Sequence, residues 1–268
     1  MTASTFEPEP GVHLHYTVDD FTDPWRPAQT IVLVHGLAES GAAWYGWVPH
    51  LARRFRVVRP DLRGFGRSTP MAREFPWSLD GLAADIAALV AKLGGAPVHL
   101  VGAKIGSTIS ARFAAKYPDL LRTLTLIGLP VKGSRNRPGL DPARHGVRDW
   151  ARSSMEERLG PVSAETLEWW SDLMGATALS TLLGFSNAVG DFNVTEDLAH
   201  IQCPTLLLTT DSARHPAADT GKWRAMIPRG EAEIIPGEGY HAAAVYPDQC
   251  AAALLDFIER QRVREELG

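Results

Sequence analysis

Cysteine is nearly absent from this chain of 268 residues, which carries two, Cys203 and Cys250. Two thiols cannot build a disulfide framework or, by themselves, a zinc site. Such sparse use fits a reduced, cytoplasmic setting. Positive charge is not in excess either: 27 Lys+Arg stand against 31 Asp+Glu, a net charge of −4. That balance argues against nucleic acid or an anionic membrane surface as the main partner. No apolar run approaches the roughly 18 residues that a membrane span needs. The first residues, MTASTFEPEPG, lack the basic and apolar regions of a secretory signal. There is no repeat at solenoid spacing and no low-complexity tract. These exclusions leave one large domain, or a domain with an insertion, able to bury a sizeable core. The residue in surplus is tryptophan, with eight copies.

Periodicity supplies the architecture. Residues 11–21 alternate, with Val12, Leu14, Tyr16 and Val18 on one side and His13, His15 and Thr17 on the other, which predicts a half-buried strand. The His-x-His pair has no third ligand at metal spacing, so it reads as the solvated face of that strand. TIVLVHG (30–36) is a continuous apolar run ending in a glycine, as in a strand covered on both faces. FRVVRPDLRG (55–64), PVHLVG (97–102), LRTLTLIGLP (121–130), CPTLLLTT (203–210) and EAEIIPG (231–237) repeat the form. Between them, helical spacing appears in 78–94, 107–118 and 247–262, with Ser78 and Gly94 placed to cap the first of these. Alternating strands and helices predict an α/β fold with a mostly parallel, doubly wound sheet. The alternation stops between 131 and 200, where short helical stretches follow a Pro-, Gly- and Arg-bearing loop. The expected layout is a core from 1–130, a helical cap from 131–200 and a second part of the core from 201–268. A cap over the carboxyl ends of the strands would cover the place where open α/β sheets bind ligands.

Four segments carry a family resemblance: HGLAESGAAW (35–44), DLRGFGRS (61–68), the strand–turn–helix around GAKIGS (102–107) and GEGYH (237–241). In this order they resemble the α/β-hydrolase superfamily over roughly 11–262, closest in texture to its 3-oxoadipate enol-lactonase-like members. The resemblance implies an α/β-hydrolase fold and an enzyme acting on a small carbonyl compound, a lactone, ester or C–C substrate. It implies no metal and no organic cofactor. In this fold a nucleophile sits on a tight turn in the pattern small-x-nucleophile-x-small. Gly102-Ala103-Lys104-Ile105-Gly106 meets the steric demand, but its centre is lysine where the family places Ser, Cys or Asp. GFSNA (184–188) matches the pattern superficially, yet no buried strand precedes it; Ser107 lies past the elbow on the following helix.

Lys104 admits three readings at this stage. It is a working residue, or the mark of a non-catalytic binding member of the fold, or a change made deliberately or by accident. As a working residue it has two forms. An amine in a low-dielectric pocket loses its charge and becomes a nucleophile or base, able to form a Schiff base with a carbonyl and so to support lyase or decarboxylase chemistry. Kept protonated, it binds a developing anion.

The resemblance further implies that His241 is the acid/base and that the backbone N–H groups of Leu37 and Ile105 form an oxyanion hole. The family's acid would fall about four residues before Pro216, at Ser212; Asp211 is the nearest carboxylate and the candidate third member. His35 is expected to order the loop it begins. Glu39 is a candidate ion-pair partner for Lys104. The run Lys132, Arg135, Arg137, Arg144, Arg148, Arg152 and Arg158 could clamp a carboxylate-bearing small molecule, with Arg152 or Arg148, beside Trp150, the candidates. The bland reading is a solvated helix face. His215 and Cys203 are expected to pack or finish loops. Five tryptophans, Trp44, Trp47, Trp150, Trp169 and Trp170, fall where a capped pocket would have walls, which predicts an aromatic pocket around Lys104.

Overall fold

Strand β3 (Thr30–Val34) shows why the central runs are apolar throughout. Ile31 and Leu33 pack into one buried cluster while Val32 and Val34 pack into another, on opposite faces of the sheet. A strand covered on both sides has no polar face to alternate with. The structure is a computed structural model describing residues 1–135, 139–212, 214 and 216–267, apart from the Glu265 side chain. Arg137 and His215 lie outside the described residues.

Eight strands form one sheet: β1 (Thr2–Glu9), β2 (Val12–Asp19), β3, β4 (Arg56–Pro60), β5 (Val98–Ala103), β6 (Leu121–Ile127), β7 (Thr205–Thr209) and β8 (Gly230–Ile234). Their spatial order is β1-β2-β4-β3-β5-β6-β7-β8. β1 and β2 run antiparallel to their neighbours and the rest are parallel. The helices are α1 (Val48–Leu51), α2 (Leu79–Lys92), α3 (Ile105–Lys116), α4 (Pro142–His145), α5 (Val147–Ser153), α6 (Met155–Leu159), α7 (Ala164–Gly175), α8 (Leu179–Val189), α9 (Ala217–Met226), α10 (Ala242–Val245) and α11 (Pro247–Leu267). Ser78 caps α2 by accepting from Gly81 N at 3.0 Å. Among the described residues no helix is long and apolar enough to cross a membrane.

Helices α4–α8 lie between β6 and β7, and the ends of this insert are stitched together. Gly133 N donates to Phe192 O at 2.7 Å and Val194 N to Val131 O at 2.9 Å. The entry and exit of the helical stretch are thereby fixed to each other.

One strand carried no sequence signal, and one expectation is corrected. The first residues form β1, an edge strand paired only with β2; Phe6, edge-on to Tyr16 at 6.0 Å, is its main anchor, so the apolar signal was thin. His15 is buried, not solvated, and its Nδ1 lies 3.0 Å from Asp61 Oδ2. Asp61 also accepts from Gly41 N and Arg67 N, so the histidine helps hold a loop junction.

Candidate active site

The turn between β5 and α3 sets the geometry of the site. Lys104 has φ 57° and ψ −123°, a conformation that strains a residue bearing a side chain. It persists because both ends are locked. A Cβ on Gly102 would lie 2.5 Å from Gly106 O, and one on Gly106 would lie 2.4 Å from Val34 O. Strand, turn and helix approach too closely for any other residue there. Lys104 N donates to Ile127 O at 2.9 Å, tying the turn to β6.

Ser107 does not line the cavity beside the elbow. Its hydroxyl is buried between the carbonyls of Gly102 (2.6 Å) and Ile127 (3.0 Å) and accepts from Ile127 N at 3.0 Å. Ser186 lies within α8.

The turn projects the lysine amine toward Tyr240. Nζ donates to Tyr240 O at 3.2 Å and stands 4.0 Å from the centre of the Tyr240 ring. Burial drives the Lys104 pKa well below its ordinary range, and the guanidinium groups of Arg214 and Arg158 push it the same way. Glu39 and Glu157 oppose that shift without reversing it. The charged form of the amine is therefore disfavoured relative to a solvated lysine.

Glu39 is buried and does not pair with Lys104. Its Oε1 accepts from His241 Nε2 at 2.7 Å, and its Oε2 accepts from Gly36 N at 2.9 Å. Burial opposes charge on this carboxylate, but His241, His35 and the Gly36 N–H outweigh it, and the pKa lies below the usual range. The segment bearing His241 is held in turn by the insert. Tyr240 N and His241 N both donate to Arg158 O at 3.0 Å.

A cavity of about 460 Å³ opens beside the elbow. Its walls include Leu37, Glu39, Lys104 and Ile105 from the core, Arg158 and Val189 from the insert, and Arg214, Trp223 and Tyr240 from the second part of the core. Leu37 and Ile105 both line it, and Ile105, as the first residue of α3, carries one of the N–H groups that a helix leaves without an internal partner. His241 is not among the lining residues; it stands behind Glu39, against the ring of Trp170 at 5.4 Å. Among the described residues no group of three or more His, Cys, Asp or Glu could hold a metal ion.

Several expected pocket residues lie elsewhere. Asp211 is exposed, and its Oδ1 accepts from Ala217 N at 3.0 Å at the start of α9; among the described residues it makes no bond to His241, whose Nδ1 is buried without a partner. His35 does not line the cavity. It bridges loops, with Nδ1 donating to Gly36 O at 2.8 Å and Nε2 accepting from Leu62 N at 2.9 Å. Trp44 stacks edge-on with Trp47 at 5.1 Å in the cluster on the far face of the sheet. Trp150 is buried core. Of the eight tryptophans, Trp223 is the one that lines the cavity. Arg152 and Arg148 form a surface network with Glu168, at 2.9 and 2.5 Å.

Sequence reasoning passed over Arg214, Tyr240 and Trp223 as wall residues, and it placed Arg158 in the basic run that could clamp a carboxylate without choosing it over Arg152 or Arg148. Arg158 had a faint signal: it follows Met155 by three positions in a helical stretch and so shares its buried face. The others depend on contacts between distant segments.

The comparisons with known proteins agree on the fold. A family profile described as the alpha/beta hydrolase fold matches residues 29–153. Pimeloyl-[acyl-carrier protein] methyl ester esterase of Aeromonas hydrophila subsp. hydrophila is 39% identical over 114 residues, 42% of this chain. That match spans 43% of the esterase's own length. A thermophilic esterase from Thermogutta terrifontis superposes with a TM-score of 0.84 at 22% identity, covering 97% of this chain and 99% of that one. The enol-lactonase from Burkholderia xenovorans LB400 superposes with a TM-score of 0.81 at 19% identity, covering 93% and 98%. Sheet order, elbow and these similarities together show that the chain has the α/β-hydrolase fold.

Proposed function

We propose that this protein is an enzyme that hydrolyses an ester or lactone carbonyl of a small molecule, with Lys104 activating water at the elbow. The observation that carries the reading is the Lys104 amine, half-buried at the cavity wall with its charged form disfavoured by desolvation. The similarity to proteins named as esterases and as an enol-lactonase supports the reaction class.

The chemistry of an amine restricts the mechanism. Direct attack on an ester would leave an amide on Lys104, which is stable and would end turnover. In the proposed cycle Lys104 instead takes a proton from water as the water oxygen bonds to the carbonyl carbon. The carbonyl oxygen gathers the negative charge and accepts from the N–H groups of Leu37 and Ile105. When the tetrahedral species collapses, the C–O bond breaks and the Lys104 ammonium returns its proton to the leaving oxygen. Glu39 stabilises the transient ammonium from across the cavity. His241 acts behind it, keeping that carboxylate ionised and oriented.

Lys104→Met, assayed with a panel of activated esters and small lactones, is expected to lose at least about 100-fold in kcat. Unchanged turnover in a folded variant would overturn the reading. A second reading follows from the same amine in its neutral form: with a ketone it would add to the carbonyl carbon, the carbinolamine would lose water to give an imine, and a proton taken up from solvent would make it an iminium ion. Borohydride reduction then leaves a substrate-sized mass on Lys104. No adduct with a ketone that is turned over eliminates it.

A further inference from the structure

Among the described residues three arginines are buried, and two of them are matched by a carboxylate. Arg59 pairs with Asp19 at 2.7 Å and Arg63 with Asp85 at 2.6 Å. Arg158 is the third. It is 9% exposed, and its Nε donates to Ser154 Oγ at 3.1 Å while its guanidinium lies 5.5 Å from the Trp150 ring. Among the described residues it has no acidic partner. A guanidinium carries its charge at any working pH, and burying it without a counter-charge is unfavourable. The group nevertheless borders the cavity.

Its surroundings deepen the imbalance. Lys104 and Arg214 border the same space, and Arg214 already has a counter-charge in Glu157 at 3.1 Å. The acid nearest the elbow, Glu39, is committed to His241 and Gly36. The rest of the lining includes apolar Leu129, Val131 and Val189 and a further cation, Lys132, and its other acid, Asp219, is paired with Lys222 at 2.7 Å. A small anionic group is what this corner lacks.

We propose that Arg158 is the anion-binding subsite of the cavity and that the substrate is a small carboxylic acid carrying its reactive carbonyl in the same molecule. This rests on the hydrolytic reading for the carbonyl but not for the anion. A planar carboxylate matches the guanidinium fork with two parallel hydrogen bonds. A single unmatched charge calls for a single negative charge, which separates a carboxylate from a phosphate dianion. The arrangement also explains why Arg158 belongs to the insert: its carbonyl holds Tyr240 and His241 while its side chain would hold the substrate.

The test is binding, measured by calorimetry on the full chain with probes that do not turn over. Glutaramate and glutaramide have the same size and differ by one carboxylate. Glutaramate should bind roughly 10- to 100-fold more tightly than glutaramide. Arg158→Met should remove that ratio, and Arg158→Lys, which keeps the charge but loses the fork, should recover part of it. Equal affinity of the two probes for the wild-type protein would overturn the proposal, as would an unchanged ratio in folded Arg158→Met. So would a phosphonate of equal length binding more than about 10-fold tighter than glutaramate. Should the Met variant fail to fold, the wild-type ratio and Arg158→Lys decide the matter alone. Repeating the titration on Lys104→Met separates the two ideas. A ratio retained there upholds the subsite whatever happens to the water-activation mechanism, and neutral esters that still need Lys104 while the ratio is absent overturn the subsite alone.

Discussion

His241 Nε2 donates to Glu39 Oε1 at 2.7 Å, joining two buried side chains that stand 202 residues apart in the chain. The relationship reverses the expected order of the site. A carboxylate faces the cavity and a histidine supports it from behind, so Glu39 is the group that shares the cavity with Lys104.

Replacing that carboxylate should change the pH profile as well as the rate. Glu39 raises the Lys104 pKa against the burial that depresses it, so Glu39→Gln should lower it further. The acid limb of kcat/KM, where Lys104 gains its proton, is then expected to move to lower pH, with kcat down roughly 10- to 100-fold. A fall in activity with the acid limb unmoved would mean that Glu39 matters only for packing.

Gly36 offers a way to disturb the same carboxylate without touching it. A Cβ at this position would sit 2.6 Å from Glu39 Oε1. Gly36→Ala should displace Glu39 from His241 and reproduce the kinetic loss, with a stability decrease of about 1–3 kcal/mol from overpacking. Thermal melting and kcat on one preparation check both parts, and wild-type values for both would contradict the geometry.

Lys104 should leave a signature in the stability curve. Its pKa is depressed on folding, so between that depressed value and its ordinary 10.5 the unfolded chain binds the extra proton. Stability contributed by this group therefore rises with pH across that window, and the penalty of burying it is fully present below the window. Lys104→Met is expected to be more stable than wild type at neutral pH, with the gap closing toward pH 10.5. Urea titrations at several pH values test this. A constant gap would show that the lysine titrates normally in the folded protein.

Asp211 serves α9 in the structure and not the histidine. Asp211→Asn should leave kcat/KM within about twofold and reduce stability by about 1 kcal/mol or less, the usual scale for a helix-start contact. A loss beyond tenfold in kcat/KM would restore Asp211 to the reactive machinery.

Legibility in the sequence followed the range of the interactions. The apolar runs at β3 and β5, the cap residue Ser78 and the small-x-Lys-x-small turn are local patterns, and each marked its element within a residue or two. α3 begins at Ile105, two residues ahead of the helical period, because the turn itself supplies the first helical residue. Partners of charged side chains were the weak point. Nothing near Glu39 in the sequence indicates a histidine, and Lys104 looked the better match on charge alone. The tryptophans misled for a related reason: proximity to a site in sequence carries no information about which face of the sheet a side chain takes, and Trp44 took the far one.

By itself the sequence determined the layered α/β architecture, since backbone periodicity and turn sterics act over a few residues and dictate which faces must be buried. It also determined that an amine occupies the elbow. Only the tertiary structure decided what that amine meets. The Glu39–His241 pair, the approach of Tyr240 to Lys104 and the unmatched charge of Arg158 arise from contacts across the sheet, the insert and the last loop. Electrostatic energies in a low-dielectric interior depend on distance and burial, and neither is set before the segments have packed.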